Sequence, residues 1–480
     1  MSTEPTSRAA RAEPPGRRER ARRRRRRGFL SGFAVILGVL MIAGGAAGVV
    51  GAVQGPRLTG MQFDVDASVA ASGSRMILTT TQPLQQVDAS QVSVSPAAPV
   101  TVSTSGRSIG LRFTTPLYDQ TTYTVTVSGV TGSGGGPAAT ITQTFTTPAL
   151  QAYILRRGAD GGDTVLRTGI DGSAPAAVYT AAHIEDFRAT ASYLVMSIRT
   201  DADRPALVVT DLNGQGAREL PLPDKGDGTV QELQSADRGD VIGYTYTDRD
   251  PSAQGSLASA LFTASLKAAD ADKPPTSIMA AGAPVSAADW RFVPDSDSIL
   301  VLSFAGRLLL TPPDGSKLVD LGDATRIDGI ARGTSEAVVL RLDGLYGIEL
   351  KDGTATRLPD ATGASGFLGE LVPMTDGSTL RQLTSGDGEG STVYRVAADG
   401  TARPVFTASG SVSLLQTCVS PSGRYAAFLV QPDAARNAYV TGYNLPVPKT
   451  VQTQIVNLDD GSQVSTLDGF ALSWCQVPLQ

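Results

Sequence analysis

Beyond residue 57 the apolar positions fall into short runs separated by turns rich in Gly, Asp, Asn and Pro. Between 57 and 148 these runs alternate. Val100 and Val102, then Ile109, Leu111 and Phe113, then Tyr123, Val125 and Val127 each lie on one face of an extended strand. Short strands in a stretch of this length fit one β-sandwich. From residue 150 the pattern becomes a repeat, two apolar runs around a tight turn. Asp171-Gly172, Asn213-Gly214, Asp314-Gly315, Asp352-Gly353, Asp399-Gly400 and Asp460-Gly461 each occupy such a turn. Asn-Gly and Asp-Gly suit it because both central residues of a type I′ turn need φ > 0.

The steps between these turns are 42, 101, 38, 47 and 61 residues, and the long gap holds one more copy without the glycine, LFTASLKAADADKPPTSIMA. Seven hairpins at a spacing of about 48 residues fit the blade repeat of a β-propeller. Each repeat reads as inner strand A, then B and C, the Asp-Gly turn and outer strand D. The first repeat lacks its A strand, starting at Ala152-Tyr153-Ile154-Leu155, while an unpaired A-like strand, Phe470 to Cys475, follows the last. The expectation is a propeller over 150–480 whose final strand completes blade one and closes the ring. The fold class read from the chain is therefore all-β, a sandwich at 57–148 followed by about seven blades, with one N-terminal helix in the membrane.

That helix is read from residues 29–53, which carry no charge. At 1.5 Å per residue a helix of this length crosses a bilayer with some tilt. The run Arg22–Arg27 abuts it. Positive charge stays cytoplasmic, so residues 1–27 form a disordered cytoplasmic tail, 28–53 a single-pass span, and the rest lies outside the cytoplasm. The competing reading is a cleaved export signal, because Arg26-Arg27-Gly28-Phe29-Leu30 resembles a twin-arginine signal. Either reading places 57–480 beyond the cytoplasm.

Charge sharpens the division. The chain carries −5 in total. Its first 27 residues hold eleven Arg against three Glu, or +8, so the remainder is −13. An acidic body argues against nucleic-acid binding, which needs a Lys/Arg surface. One histidine, His183, leaves little room for His-dependent catalysis or metal ligation. No G-x-S-x-G elbow is present. The acidic pairs Asp201/Asp203, Asp248/Asp250, Asp270/Asp272 and Asp295/Asp297 lack the spacing of a full calcium loop and read as solvated turns. Gly386-Asp387-Gly388-Glu389-Gly390 precedes a strand outside any βαβ pattern, and reads as a hairpin loop. No catalytic, cofactor or metal site is expected.

Two resemblances refine the domains. The order PLYDQTTYTVTVSGV, a Gly-rich turn, then TQTFTTP resembles the bacterial Ig-like domain of S-layer proteins, matching at Leu117, Tyr123, Val125, Phe145, Thr146 and Thr147. It covers 57–148 and implies a spacer or adhesive module without catalysis. Ser420-Pro421-Ser422-Gly423-Arg424, followed by an apolar strand and Asp459-Asp460-Gly461, resembles the TolB-type propeller repeat, with Ser422 where Asp is usual. Val293-Pro294-Asp295-Ser296-Asp297 is a degenerate copy. This implies a TolB-like or WD40-like propeller.

Cys418 and Cys475 occupy equivalent places in inner strands that become neighbours once the ring closes. An extracytoplasmic compartment permits a disulfide between them, the alternative being two buried thiols. The functional expectation is a non-enzymatic, membrane-anchored envelope protein whose propeller face binds a protein or a wall polymer. The alternative is a glycan- or small-ligand-binding propeller with carboxylate-based hydrolase or lyase activity. Its candidates are Asp186, Asp289, Trp290, Arg291 and Glu370.

Overall fold

The computed structural model describes residues 36–39, 41, 55–158, 162–280, 282–388 and 390–479. The Arg-rich tail and most of the expected span at 29–53 lie outside these residues. Among the described residues no helix is long and apolar enough to cross a membrane.

Residues 57–148 form two facing sheets. One is ordered Leu58–Gln62, Arg75–Thr80, Ser108–Phe113, Val100–Ser105, and the other Val92–Ser95, Thr122–Val130, Ala139–Thr146. Alternation does the work here. Ile109, Leu111, Phe113, Tyr123, Val125 and Val127 point inward and are almost wholly buried with Met76, Leu78 and Phe145. A short helix, Val65–Ala70, is capped at its N-terminus by the Asp64 carboxylate, which accepts from Ala67 N at 2.9 Å.

From residue 150 the described chain forms seven antiparallel blade sheets of three or four strands, each running from inner to outer strand. Two small two-stranded ribbons accompany them, Met279–Ala280 with Ala283–Pro284 and Tyr439–Val440 with Val447–Pro448. Blades two to seven begin with the inner strands Ile184–Ala189, Gly228–Ser235, Ala287–Phe292, Arg326–Ile330, Phe367–Pro373 and Ser413–Val419, each beside the next around the ring. Blade one has three strands of its own, Gln151–Arg156, Asp163–Gly169 and Ala176–Ala181. Phe470 supplies the inner position, exchanging two backbone hydrogen bonds of 2.9 Å with Leu155, while Ser473 N donates to Tyr153 O at 2.9 Å. The segment from Phe470 to Ser473 thus meets blade one through an isolated bridge and one further backbone hydrogen bond, where the repeat pattern calls for a regular inner strand. The Asp-Gly turns stand between the third and fourth strands of their blades. The copy without glycine is the corresponding hairpin of blade three, Ala260–Ser265 paired to Thr276–Ser277.

Cys418 and Cys475 form a disulfide with a Cα–Cα distance of 5.1 Å. It joins the inner strand of blade seven to the closing strand and is buried beside Trp474, Tyr425, Leu150 and Val69 of the sandwich helix. That cluster is continuous between the two domains. The turns that leave the inner strands complete the contact. Tyr425 Oη donates to Asp119 Oδ1 at 2.9 Å and Arg424 Nη1 donates to Asp119 O at 3.1 Å. Ser72 Oγ donates to Asp295 Oδ1 at 2.6 Å, and Arg238 pairs with the same carboxylate. The sandwich thus covers one face of the propeller, and the opposite face is free of it.

The open mouth of the propeller channel

The free face carries the starts of the inner strands and the turns between second and third strands. Six inner strands share a local irregularity. Their register with the second strand slips between Ile184 and Asp186, Gln231 and Gln234, Ala287 and Asp289, Ile327 and Gly329, Leu368 and Leu371, and Leu414 and Gln416. A bulge leaves one or two residues out of the ladder and re-aims their side chains. The residues left out include Glu185, Glu232, Asp328 and Glu370. The repeated bulge is the device that turns acidic side chains toward the centre of the ring.

Two cavities follow. The mouth, ≈ 520 Å³, is lined by Glu185, Asp186, Glu232, Asp289, Arg326 and Phe304 among others. A smaller chamber of ≈ 180 Å³ lies between Arg291, Arg326, Asp328, Glu370 and Gln416. Arg326 and Pro478 line both. The segment after the closing strand runs through the ring here. Val477 O accepts from Gln416 Nε2 at 3.3 Å, and Pro478 and Leu479 reach the mouth.

Most of the charges are matched. Asp186 accepts from Phe187 N at 2.8 Å and pairs with Arg188 at 2.9 Å. Burial pushes its carboxyl up against the pull of Arg188, and burial lowers the Arg188 guanidinium. Asp289 repeats the arrangement, accepting from Trp290 N at 2.8 Å and pairing with Arg291. Arg326 grips Asp328 through Nε at 2.8 Å and Nη2 at 2.6 Å. Even so, burial raises Asp328 to about 6, and its Oδ2 is buried with no hydrogen-bond partner. Glu370 accepts from Thr417 N at 2.5 Å and is raised to about 7 by burial.

Glu232 differs from these. Among the described residues it has no guanidinium partner and its buried Oε2 is unbonded, and its backbone is left-handed at φ 49°. Burial, then the neighbouring Asp289 charge, raises its carboxyl to about 7, opposed by Arg291. A strained backbone and a perturbed carboxyl in one cavity mark a functional-site candidate.

The structure brings four of the five sequence candidates, Asp186, Asp289, Arg291 and Glu370, to the ring centre. It sends Trp290 elsewhere. Strand alternation points its side chain to the opposite face, fully buried against Phe292 at a ring distance of 5.2 Å and close to Gly243 of blade three. Glu232 was missed. The available signal was an acid between Val230 and Leu233 of the strand TVQELQS, at the inner-strand position held by Glu185 in blade two. His183 stacks on Tyr443 at 3.9 Å and meets Glu185 at 2.9 Å, so it clamps the excursion around 433–451 to blade two. Among the described residues no group of three or more metal-ligating side chains gathers. Asp295 serves the sandwich contact, and residues 386–388 lie in the hairpin loop between Thr379–Thr384 and Gly390–Val396.

Three large apolar side chains stand exposed on this face. Phe304 and Leu342 occupy turns between second and third strands, and Phe367 begins an inner strand; they are 69 %, 98 % and 72 % exposed.

No family model and no curated relative matches this chain. Solved structures of similar fold include a TolB-type structure from Agrobacterium tumefaciens, at 14 % identity over 67 % of this chain and 90 % of that one, with a TM-score of 0.35. A quinoprotein alcohol dehydrogenase-like protein from Bacteroides thetaiotaomicron shows 10 % identity over 89 % and 99 %, TM-score 0.41. The WD40 domain of Toxoplasma gondii coronin shows 12 % identity over 58 % and 69 %, TM-score 0.36. The neighbours are TolB-like, quinoprotein and WD40 propellers. At these identities and scores the argument about binding rests on this chain's own residues.

Proposed function

We propose that this chain is a non-enzymatic binding protein of the cell envelope. Residues 29–53 anchor it with the N-terminus cytoplasmic and the body outside. The sandwich, an Ig-like module by its motif, is a spacer. The open propeller face takes an envelope protein or a wall polymer. One observation carries the reading: one propeller face is covered by the sandwich, while the other presents a polar recess with Phe304 in its wall and exposed Leu342 and Phe367 on the two following blades. Exposed large apolar side chains beside a recess mark an interaction surface. The buried disulfide agrees with an oxidising compartment.

The test is crosslinking and co-purification of the full chain from its native envelope, beside a Phe304→Asp/Phe367→Asp variant. The expected result is one reproducible partner, or retention on wall polymer, lost in the variant. Equal recovery by both forms refutes the reading. The raised carboxyls of Glu232, Asp328 and Glu370 favour the enzymatic alternative, a carboxylate-based hydrolase or lyase. Release of new chain ends from purified wall polysaccharide, abolished in Glu232→Gln, would establish it.

A further inference from the structure

The charge balance of the mouth points to a ligand class, and the argument rests on the open face being the binding face. Four carboxylates line the cavity, Glu185, Asp186, Glu232 and Asp289, against one guanidinium, Arg326. Arg326 is committed to Asp328 through two nitrogens. Glu185 is satisfied by Arg199 at 2.8 Å and Asn444 N at 2.8 Å, while Asp186 and Asp289 hold Arg188 and Arg291. Among the described residues, Glu232 alone of the four lacks a cationic partner, although its Oε2 is shielded from water. Deeper in, the Asp328 side chain is only 2 % exposed and its Oδ2 has no hydrogen-bond partner. A buried anionic oxygen without a donor costs free energy that a bound donor restores. The remaining walls include Phe304, Phe470, Leu445 and Leu479. Carboxylates on an apolar floor suit a cation on an aliphatic stem.

We infer that the mouth binds the ammonium or guanidinium of an aliphatic amine, with Glu232 as its anionic partner. The ligand is a free alkylamine or the side chain of a lysine or arginine. Both present the same chemistry.

The pH behaviour follows from the groups that face Glu232. Burial and then the Asp289 charge of blade four hold its proton on, and Arg291 opposes them; Asp186 and Arg326 also line the mouth, each already paired. Its carboxyl titrates at about 7, and only the ionised form pairs with a cation. Affinity therefore falls as pH drops through 7, by about tenfold between pH 8 and pH 6.

The test is calorimetric titration of the full chain with two probes, 1,5-diaminopentane and acetyl-Gly-Lys-Gly-amide. 1-Pentanol and the norleucine peptide serve as neutral controls. The expected result is binding of at least one probe at pH 8, none of its neutral counterpart, and a loss of tenfold or more in Glu232→Gln together with most of the pH dependence. The tighter probe identifies the source, free amine or side chain. Ala288→Lys, at an exposed position in the mouth, supplies a tethered ammonium and should block both probes in a folded protein. Failure of both cations to bind, equal binding of the neutral compounds, or an unchanged Glu232→Gln would overturn the inference. Partner capture that depends on Phe304 and Phe367 but not on Glu232 would leave the open-face reading standing while this inference falls. Amine binding without any captured partner or polymer would do the reverse.

Discussion

Removing the disulfide should loosen one place in the ring and little else. Elsewhere an inner strand is held to its blade by a ladder of backbone pairs. In blade one the ladder is reduced to the Leu155–Phe470 bridge, Ser473 N to Tyr153 O at 2.9 Å, and Tyr153 N to Ser473 Oγ at 3.0 Å. The Cys418–Cys475 bond closes a loop of 57 residues beside this short ladder. On the chain-entropy model a loop of that size destabilises the unfolded chain by about 4 kcal/mol. That is a large share of the ~5–15 kcal/mol by which a domain is ordinarily stable. The perturbation is the double variant Cys418→Ala/Cys475→Ala, measured by equilibrium urea unfolding. The chain has two tryptophans, Trp474 beside the disulfide and Trp290 in blade four, so fluorescence can be read at both places through single Trp→Phe variants. The expected outcome is a loss of about 3–4 kcal/mol, with Trp474 exposed at lower urea than Trp290. Thiol titration of the denatured parent should find no free thiol. A loss below about 1 kcal/mol, or two reactive thiols in the parent, would refute the argument that the covalent link secures closure.

Two further outcomes are expected. Asp119→Ala removes the acceptor of Tyr425 Oη and the partner of Arg424 at a site whose carboxylate side chain is 5 % exposed; it should weaken the sandwich contact by about 2 kcal/mol. It should also lower the Tyr425 phenol from about 12, since burial and the Asp119 charge both hold it up; thermal unfolding and ultraviolet titration of tyrosinate check the two effects. Glu370 carries a folded-state value of about 7 against 4.5 for the free side chain, so it favours the fold below pH 4.5 and loses that contribution as pH rises through 7. Glu370→Gln keeps an acceptor for Thr417 N while removing the buried charge. It should raise stability at pH 8, by at most about 3 kcal/mol, and leave it unchanged near pH 4.5, as melting curves at the two pH values would show.

The blades were legible because their signals are local. A glycine at φ > 0 writes itself as Asp-Gly or Asn-Gly, and Gly172, Gly214, Gly353 and Gly461 adopt φ near 80°. The Asp or Asn before each is not left-handed, so these turns are not the expected type I′, which needs φ > 0 at both central residues. Strand alternation identified the inward set Ile109, Leu111, Phe113 and Tyr123, Val125, Val127. The site was legible only in part. Asp186 and Asp289 stand out because each is followed two residues later by Arg. Glu232 has no such companion, and its orientation comes from a bulge, a slip in register between two strands that neither strand's own pattern records. The docking of the sandwich was likewise hidden. Asp119, Asp295 and Tyr425 read as turn or strand residues until the long-range contacts assemble them.

The shared blade also sets an order of events. Tyr153 and Ser473 are 320 residues apart in sequence, and the ring has no closed form until the second joins the first. Contacts of such separation form slowly, because a long loop must be closed before they reward it. As the chain emerges from synthesis or export, six blades can collapse one by one against their predecessors. The blade begun earliest is finished last, and until then its edge strand stands open to pairing with another chain. A pause before residue 470 would thus leave a ring that is largely built, unclosed and prone to joining its neighbour.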